Sequence, residues 1–175
     1  MRSRLSNTNC PKILQVVQAK FRSLNCDSCD KNFGQFKLCE IKAVNRSLNL
    51  INIIYKFNGL LDNTSVQLQI FKRASGWRPF LYDIKFELCE LIEKGKPYVA
   101  NLLFGYIKPY TNLNQTCPKQ PGFEFKMQNY KLNMELFRQR FPIDAGEYAV
   151  NLKFFNKQLL RFIVNGSISY TNYKD

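Results

Sequence analysis

Apolar and polar residues alternate with a period of two along much of the chain, the signature of strands with one buried face. Val66, Leu68 and Ile70 alternate with Gln67 and Gln69, and Phe80, Tyr82, Ile84, Phe86 and Leu88 alternate with Asp83, Lys85 and Glu87. Tyr130, Leu132, Met134 and Leu136 oppose Lys131, Asn133 and Glu135, while Tyr148, Val150, Leu152 and Phe154 oppose Asn151 and Lys153. A last series, Leu160, Phe162, Val164 and Ile168, is interrupted by Ile163. Residues 34–42 and 47–57 read as two more strands, the second apolar enough to be buried on both faces. Gly59, Asp62-Asn63, Ser75-Gly76, Asp144-Ala145-Gly146 and Asn156 supply turn chemistry between segments. The pattern predicts an all-β chain of about seven strands, the size of a two-sheet sandwich.

One segment departs from this period. Val99, Leu102, Leu103, Tyr106 and Ile107 recur at helical spacing between Pro97 and Pro109, which predicts one short inserted helix over about 97–108.

Composition narrows the class of function. The chain has 175 residues, 45% of them hydrophobic and 14% aromatic, enough to bury a core within one domain. It contains no histidine, which removes the commonest general base and the commonest metal ligand, and the expectation is that it is not an enzyme. A formal charge of +13 points to anionic surfaces as partners and carries little information about fold.

Six cysteines (Cys10, Cys26, Cys29, Cys39, Cys89 and Cys117) and four Asn-X-Ser/Thr sequons at Asn45, Asn63, Asn114 and Asn165 together suggest an oxidising, secretory route with N-glycans. Met1-Arg2-Ser3-Arg4 is basic, but no continuous apolar stretch follows, so no signal peptide is visible in this sequence. The competing reading is a cytosolic chain with reduced thiols. Residues 1–18 are expected to be an atypical N-terminal segment and 19–175 the sandwich domain. No stretch approaches the roughly 18 apolar residues of a membrane-spanning helix.

Other candidate chemistry is weak. Cys26-Asp27-Ser28-Cys29 has the spacing of a redox motif but lies in an all-β context, and no second close pair of ligands completes a zinc site. Lys72-Arg73 with Arg78, Lys94 with Lys96, and Arg138 with Arg140 are basic clusters. The aromatics near them alternate as core positions do, so a solvated cationic surface is expected and not a nucleic-acid site.

Gly76-Trp77-Arg78-Pro79-Phe80-Leu81-Tyr82 followed by Cys89 resembles a large insect family of secreted proteins. In the same order come Cys26 through Cys39 leading into Ile41-Lys42-Ala43-Val44-Asn45-Arg46-Ser47, then Asn112 to Pro118, then Phe141 to Tyr148. That family is similar to the CheB-type chemosensory proteins and related to the ML lipid-recognition domains. The resemblance covers the chain from about Gln18 onward. It implies an immunoglobulin-like sandwich whose sheets part around an apolar ligand. It also implies disulfides Cys26 with Cys39 and Cys89 with Cys117, leaving Cys10 and Cys29 free or paired with each other. Cys10 and Cys29 are additional to the family's four cysteines, and Gln115 stands where related sequences often have histidine.

The inward aromatics Phe80, Tyr82, Phe86, Tyr148, Phe154 and Phe162 are the candidate ligand-binding residues. The leading expectation is an extracellular binding protein for a small hydrophobic ligand such as a lipid, sterol or cuticular hydrocarbon, with a membrane receptor or anionic surface as a second partner. No cofactor is expected. The alternative is a secreted protein-interaction module without a cavity and with a basic surface.

Overall fold

The structure, a computed structural model, describes residues 15–113, 116–141 and 143–174. They form an all-β sandwich of two antiparallel sheets. The larger sheet orders β1 (Gln15–Ser28), β8 (Leu159–Lys174), β7 (Gly146–Asn156), β4 (Thr64–Arg73) and β5 (Trp77–Glu87). The smaller orders β2 (Gly34–Ala43), β3 (Asn49–Phe57) and β6 (Glu124–Tyr130). Three short helices, α1 (Leu88–Lys94), α2 (Tyr98–Ile107) and α3 (Met134–Arg140), fill the connections on either side of β6.

Several elements differ from the pattern-based expectation. The described residues hold eight strands, not seven, and three α-helices, not one. The alternation from Tyr130 to Leu136 does not make a strand. β6 ends at Tyr130, and the Asn133 side chain then accepts from the Leu136 N–H to cap α3, while Arg138 and Arg140 occupy the C-terminal turn where the helix dipole favours them. Leu88, read as the end of a strand, starts α1, because the Glu87 carboxylate accepts from the Glu90 N–H and redirects the chain. β1 went unread. Its register slips between Phe21 and Ser23, which breaks its alternation, and it is held by pairing along β8 from Gln15 to Ser28, across the expected boundary at residue 18.

Two disulfides close the sandwich. Cys26–Cys39 joins β1 to β2 and so ties the edge of one sheet to the edge of the other, while Cys89–Cys117 ties α1 to the segment before β6. Cys29 is an exposed free thiol, and Cys10 lies outside the described residues.

Between the sheets the core is aromatic. Tyr55, Phe57 and Phe162 are buried, with Tyr55 and Phe162 stacked at 4.2 Å and Phe154 stacked on the other side of Phe162 at 4.2 Å. On β3 the residues Ile51, Ile53, Tyr55 and Phe57 are buried, whereas Leu50, Ile54 and Lys56 on the other face are half-buried, so only one face is fully covered. Buried polar groups act as latches between elements. The Asn49 amide donates to the Phe21 carbonyl at 2.9 Å and accepts from the Phe21 N–H at 3.0 Å, joining the start of β3 to β1. Asn156 donates to the Asp62 carbonyl at 2.6 Å and to the Thr64 hydroxyl at 3.1 Å.

Candidate functional site

The smaller sheet meets the larger one around Phe162, and α2 and α3 lie beside the bulged edge strand β5. Opposite Gln69 to Phe71 on β4, β5 runs from Asp83 to Pro79, so two extra residues bulge out. Pro79 has no N–H to donate to a neighbour, which suits it to an edge strand or a bulge. Leu81, at the centre of the bulge, adopts φ 60° and is 54% exposed. A bulky side chain in left-handed backbone is rare and costly, and such strain concentrates at functional positions.

α2 forms the facing wall. Its sequence, Tyr98-Val99-Ala100-Asn101-Leu102-Leu103-Phe104-Gly105-Tyr106-Ile107, has Asn101 as its one strongly polar side chain. Ala100 and Phe104 are buried, and Ile107 packs beside Phe104 in the core. Val99, Leu102 and Gly105 lie on another face and look onto open space. The expected stripe of Val99, Leu102, Leu103, Tyr106 and Ile107 therefore divides between two faces, because the helix is apolar nearly all round.

Together these elements enclose an open cleft of about 960 Å³, its apolar walls formed by Leu81 and Tyr82 from β5, Val99 and Leu102 from α2, and Phe141 after α3. The walls are joined by a relay of rings. Tyr82 meets Phe141 edge-on at 6.0 Å, Phe141 meets Phe137 at 4.9 Å, and Phe137 meets Tyr106 at 5.6 Å. The Tyr106 hydroxyl also donates to the Leu136 carbonyl at 3.4 Å, clasping α2 to α3.

The six residues expected to bind ligand share a sheet but not one space. Tyr82 lines the cleft, and Phe80 lines a smaller hollow of about 280 Å³ around the bulge. Phe80 packs on Tyr148 at 5.4 Å beneath the Lys72 ammonium, which lies 5.5 Å and 5.7 Å from the two ring centroids. Tyr148 and the hydrogen bond from Lys72 to Asp144 hold that ammonium above its usual pKa. Phe86, Phe154 and Phe162 belong to the packed core between the sheets. Leu81, Val99, Leu102, Lys108, Arg140 and Phe141 line the cleft and were absent from the sequence-based set. For Val99 and Leu102 the signal that could have found them is a helix with too few polar residues for one buried face.

Asn45 and Asn63 lie exposed in turns, and Asn165 points to the outer face of the larger sheet between Asn25 and Asn151; Asn114 lies outside the described residues. At the tip of the β4–β5 hairpin, Trp77 is 40% exposed with the Arg73 guanidinium 5.2 Å over its ring.

Residues 66–150 match the model of a family described as a protein of unknown function (DUF1091). The match runs from β4 into β7 and contains every element that lines the cleft. No curated protein matches the chain.

Proposed function

We propose that this protein is an extracellular, non-enzymatic binding protein for a small hydrophobic ligand, and that the ligand lies in the cleft between β5 and α2. The observation that carries this reading is the second apolar face of α2: Val99 and Leu102 look onto open space while Ala100 and Phe104 hold the helix in the core. Apolar surface left open beside a strained bulge fits a partner that covers it. The resemblance to CheB-type and ML lipid-recognition proteins supports a lipid, sterol or hydrocarbon as that partner. The two disulfides are consistent with secretion. Among the described residues no helix is long and apolar enough to cross a membrane.

A test is native mass spectrometry on protein from an oxidising host, offered a panel of sterols, acyl chains and long hydrocarbons. Stoichiometric uptake that Leu102→Glu abolishes and Phe162→Val leaves in place supports the reading. Absence of uptake across the panel by folded protein rejects it. The dense aromatic packing between the sheets favours the second reading, an interaction module with a basic surface. Salt-sensitive capture of an acidic protein partner by ligand-free protein selects that reading.

A further inference from the structure

Two cations share the cleft with its apolar walls. Lys108 follows α2 and Arg140 ends α3, and both line the space whose walls are Leu81, Tyr82, Leu102 and Phe141. The lining contains no carboxylate. Among the described residues the ion pairs are Lys72–Asp144, Lys94–Glu90, Lys126–Glu124 and Arg161–Asp30, so neither cleft cation is paired.

Acidic groups on the neighbouring elements are turned elsewhere or lie far along the chain. α2 has none, and the single acid of α3, Glu135, is in its first turn, at the end away from Arg140. Asp83 on β5 accepts from the Gln67 and Gln69 amides at 2.8 Å each. The clasp from Tyr106 to Leu136 and the Tyr106–Phe137 contact hold α2 and α3 together, and with them the two cations that border one space. A basic residue at a helix C-terminus is favoured by the dipole alone. That accounts for each position singly but not for two cations lining one cleft with apolar walls.

We propose that the cleft selects amphiphiles with an anionic head group, a carboxylate or a phosphate on a single apolar chain, with Lys108 and Arg140 holding the head while Leu81, Val99 and Leu102 take the chain. This rests on the reading of the cleft as the ligand site and adds the polarity of the ligand. Charge-assisted hydrogen bonds at the edge of an apolar space are stronger than neutral ones, and the arginine fork matches either anion.

The experiment is calorimetric titration of the full chain with dodecanoate, dodecyl phosphate, dodecanol and dodecylamine, each below its micelle concentration. Dodecanoate or dodecyl phosphate should bind about tenfold more tightly than dodecanol, and dodecylamine more weakly than dodecanol. Added salt should reduce the preference for the anions and leave dodecanol unchanged. Lys108→Gln and Arg140→Gln should each narrow the preference, the double variant should erase it, and Arg140→Lys should restore part of it. Dodecanol binding by each variant shows that the cleft is still formed. If the anions and dodecanol bind equally, or the preference survives in the double variant, the head-group proposal is overturned while the cleft reading stands. If none of the four binds to folded protein, the cleft reading itself fails.

Discussion

Two apolar regions of this molecule, a closed end around Phe162 and an open end beside the β5 bulge, are lined by similar residues and behave differently. Around Phe162 the sheets face each other directly, and Phe36, Tyr55, Phe57 and Phe154 surround the ring in stacked and edge contacts. Beside the β5 bulge the cover is α2 and α3, and the Tyr82–Phe141 ring pair and Leu102 border an open cleft. Hydrophobic composition is common to both ends. What separates them is geometry: pleated sheets interdigitate at a fixed spacing, whereas two short helices set against a bulged edge leave unfilled volume.

Truncation should expose that difference most strongly. Phe162→Ala removes a ring with 5% exposure from a packed cluster and should cost about 3–5 kcal/mol. Leu102→Ala, on a half-buried position facing the cleft, should cost about 1 kcal/mol, since only part of the side chain is out of water. Urea titrations of the two variants make the comparison, and equal losses would mean that the open end is as tightly filled as the closed one.

Addition should sharpen it. A Cβ at Gly34 would lie 2.6 Å from both the Lys56 carbonyl oxygen and the Tyr55 ring, so Gly34→Ala should cost about 1–3 kcal/mol through overpacking. Gly105 on α2 has nothing within 4 Å of the same position, and Gly105→Ala should be neutral or stabilising, by up to about 1 kcal/mol of helix propensity. Melting curves that rank these two variants the other way would contradict the described packing.

At the bulge, Leu81→Asn should stay within about 0.5 kcal/mol of the parent, because relief of left-handed backbone offsets the little burial lost. Leu81→Ala keeps the strain, gives up the same contacts and should fall by about 1 kcal/mol. A reversed order of the two in denaturant titration would remove the case for strain there.

The smallest effect is the pH dependence at the closed end. Burial raises the Asp30 pKa, but hydrogen bonds from the Phe33 N–H, Arg161 and the Asn32 N–H outweigh it and hold the carboxyl below its ordinary value. A lowered folded-state pKa gives stability that is complete above the ordinary aspartate value of about 3.9 and is lost as pH falls through the folded value. Asp30→Asn should flatten that part of the stability curve below about pH 4. An unchanged slope in the variant would show that the Asp30–Arg161 contact contributes nothing there.

The closed end was the more legible of the two in the sequence. Alternation identified β4, β5, β7 and β8 because each has one wet and one dry face, and Phe154 and Phe162 fell on the dry one. The disulfide pairs followed from the family resemblance. The open end was hidden for a physical reason in each part. The bulge at Leu81 arises from a register slip that leaves the local alternation nearly intact. α2 is apolar on two sides, so periodicity gave a helix but not which face is free. α3 was masked by a chance alternation from Tyr130 to Leu136, which the Asn133 cap overrides. Phe80, Tyr82 and Phe86 share a strand, yet the bulge and the helices place Tyr82 at the cleft and Phe86 in the core.

The hairpin tip has a consequence for measurement. Trp77 is the one tryptophan of the chain, partly open to solvent, and four residues from Leu81 at the mouth of the cleft. The Arg73 guanidinium over its ring makes the indole's surroundings sensitive to small movements of the β4–β5 turn. All of the indole fluorescence of this protein therefore comes from a single site next to the bulge. A ligand that reorders the bulge should shift that emission, giving an optical record of occupancy from unlabelled protein.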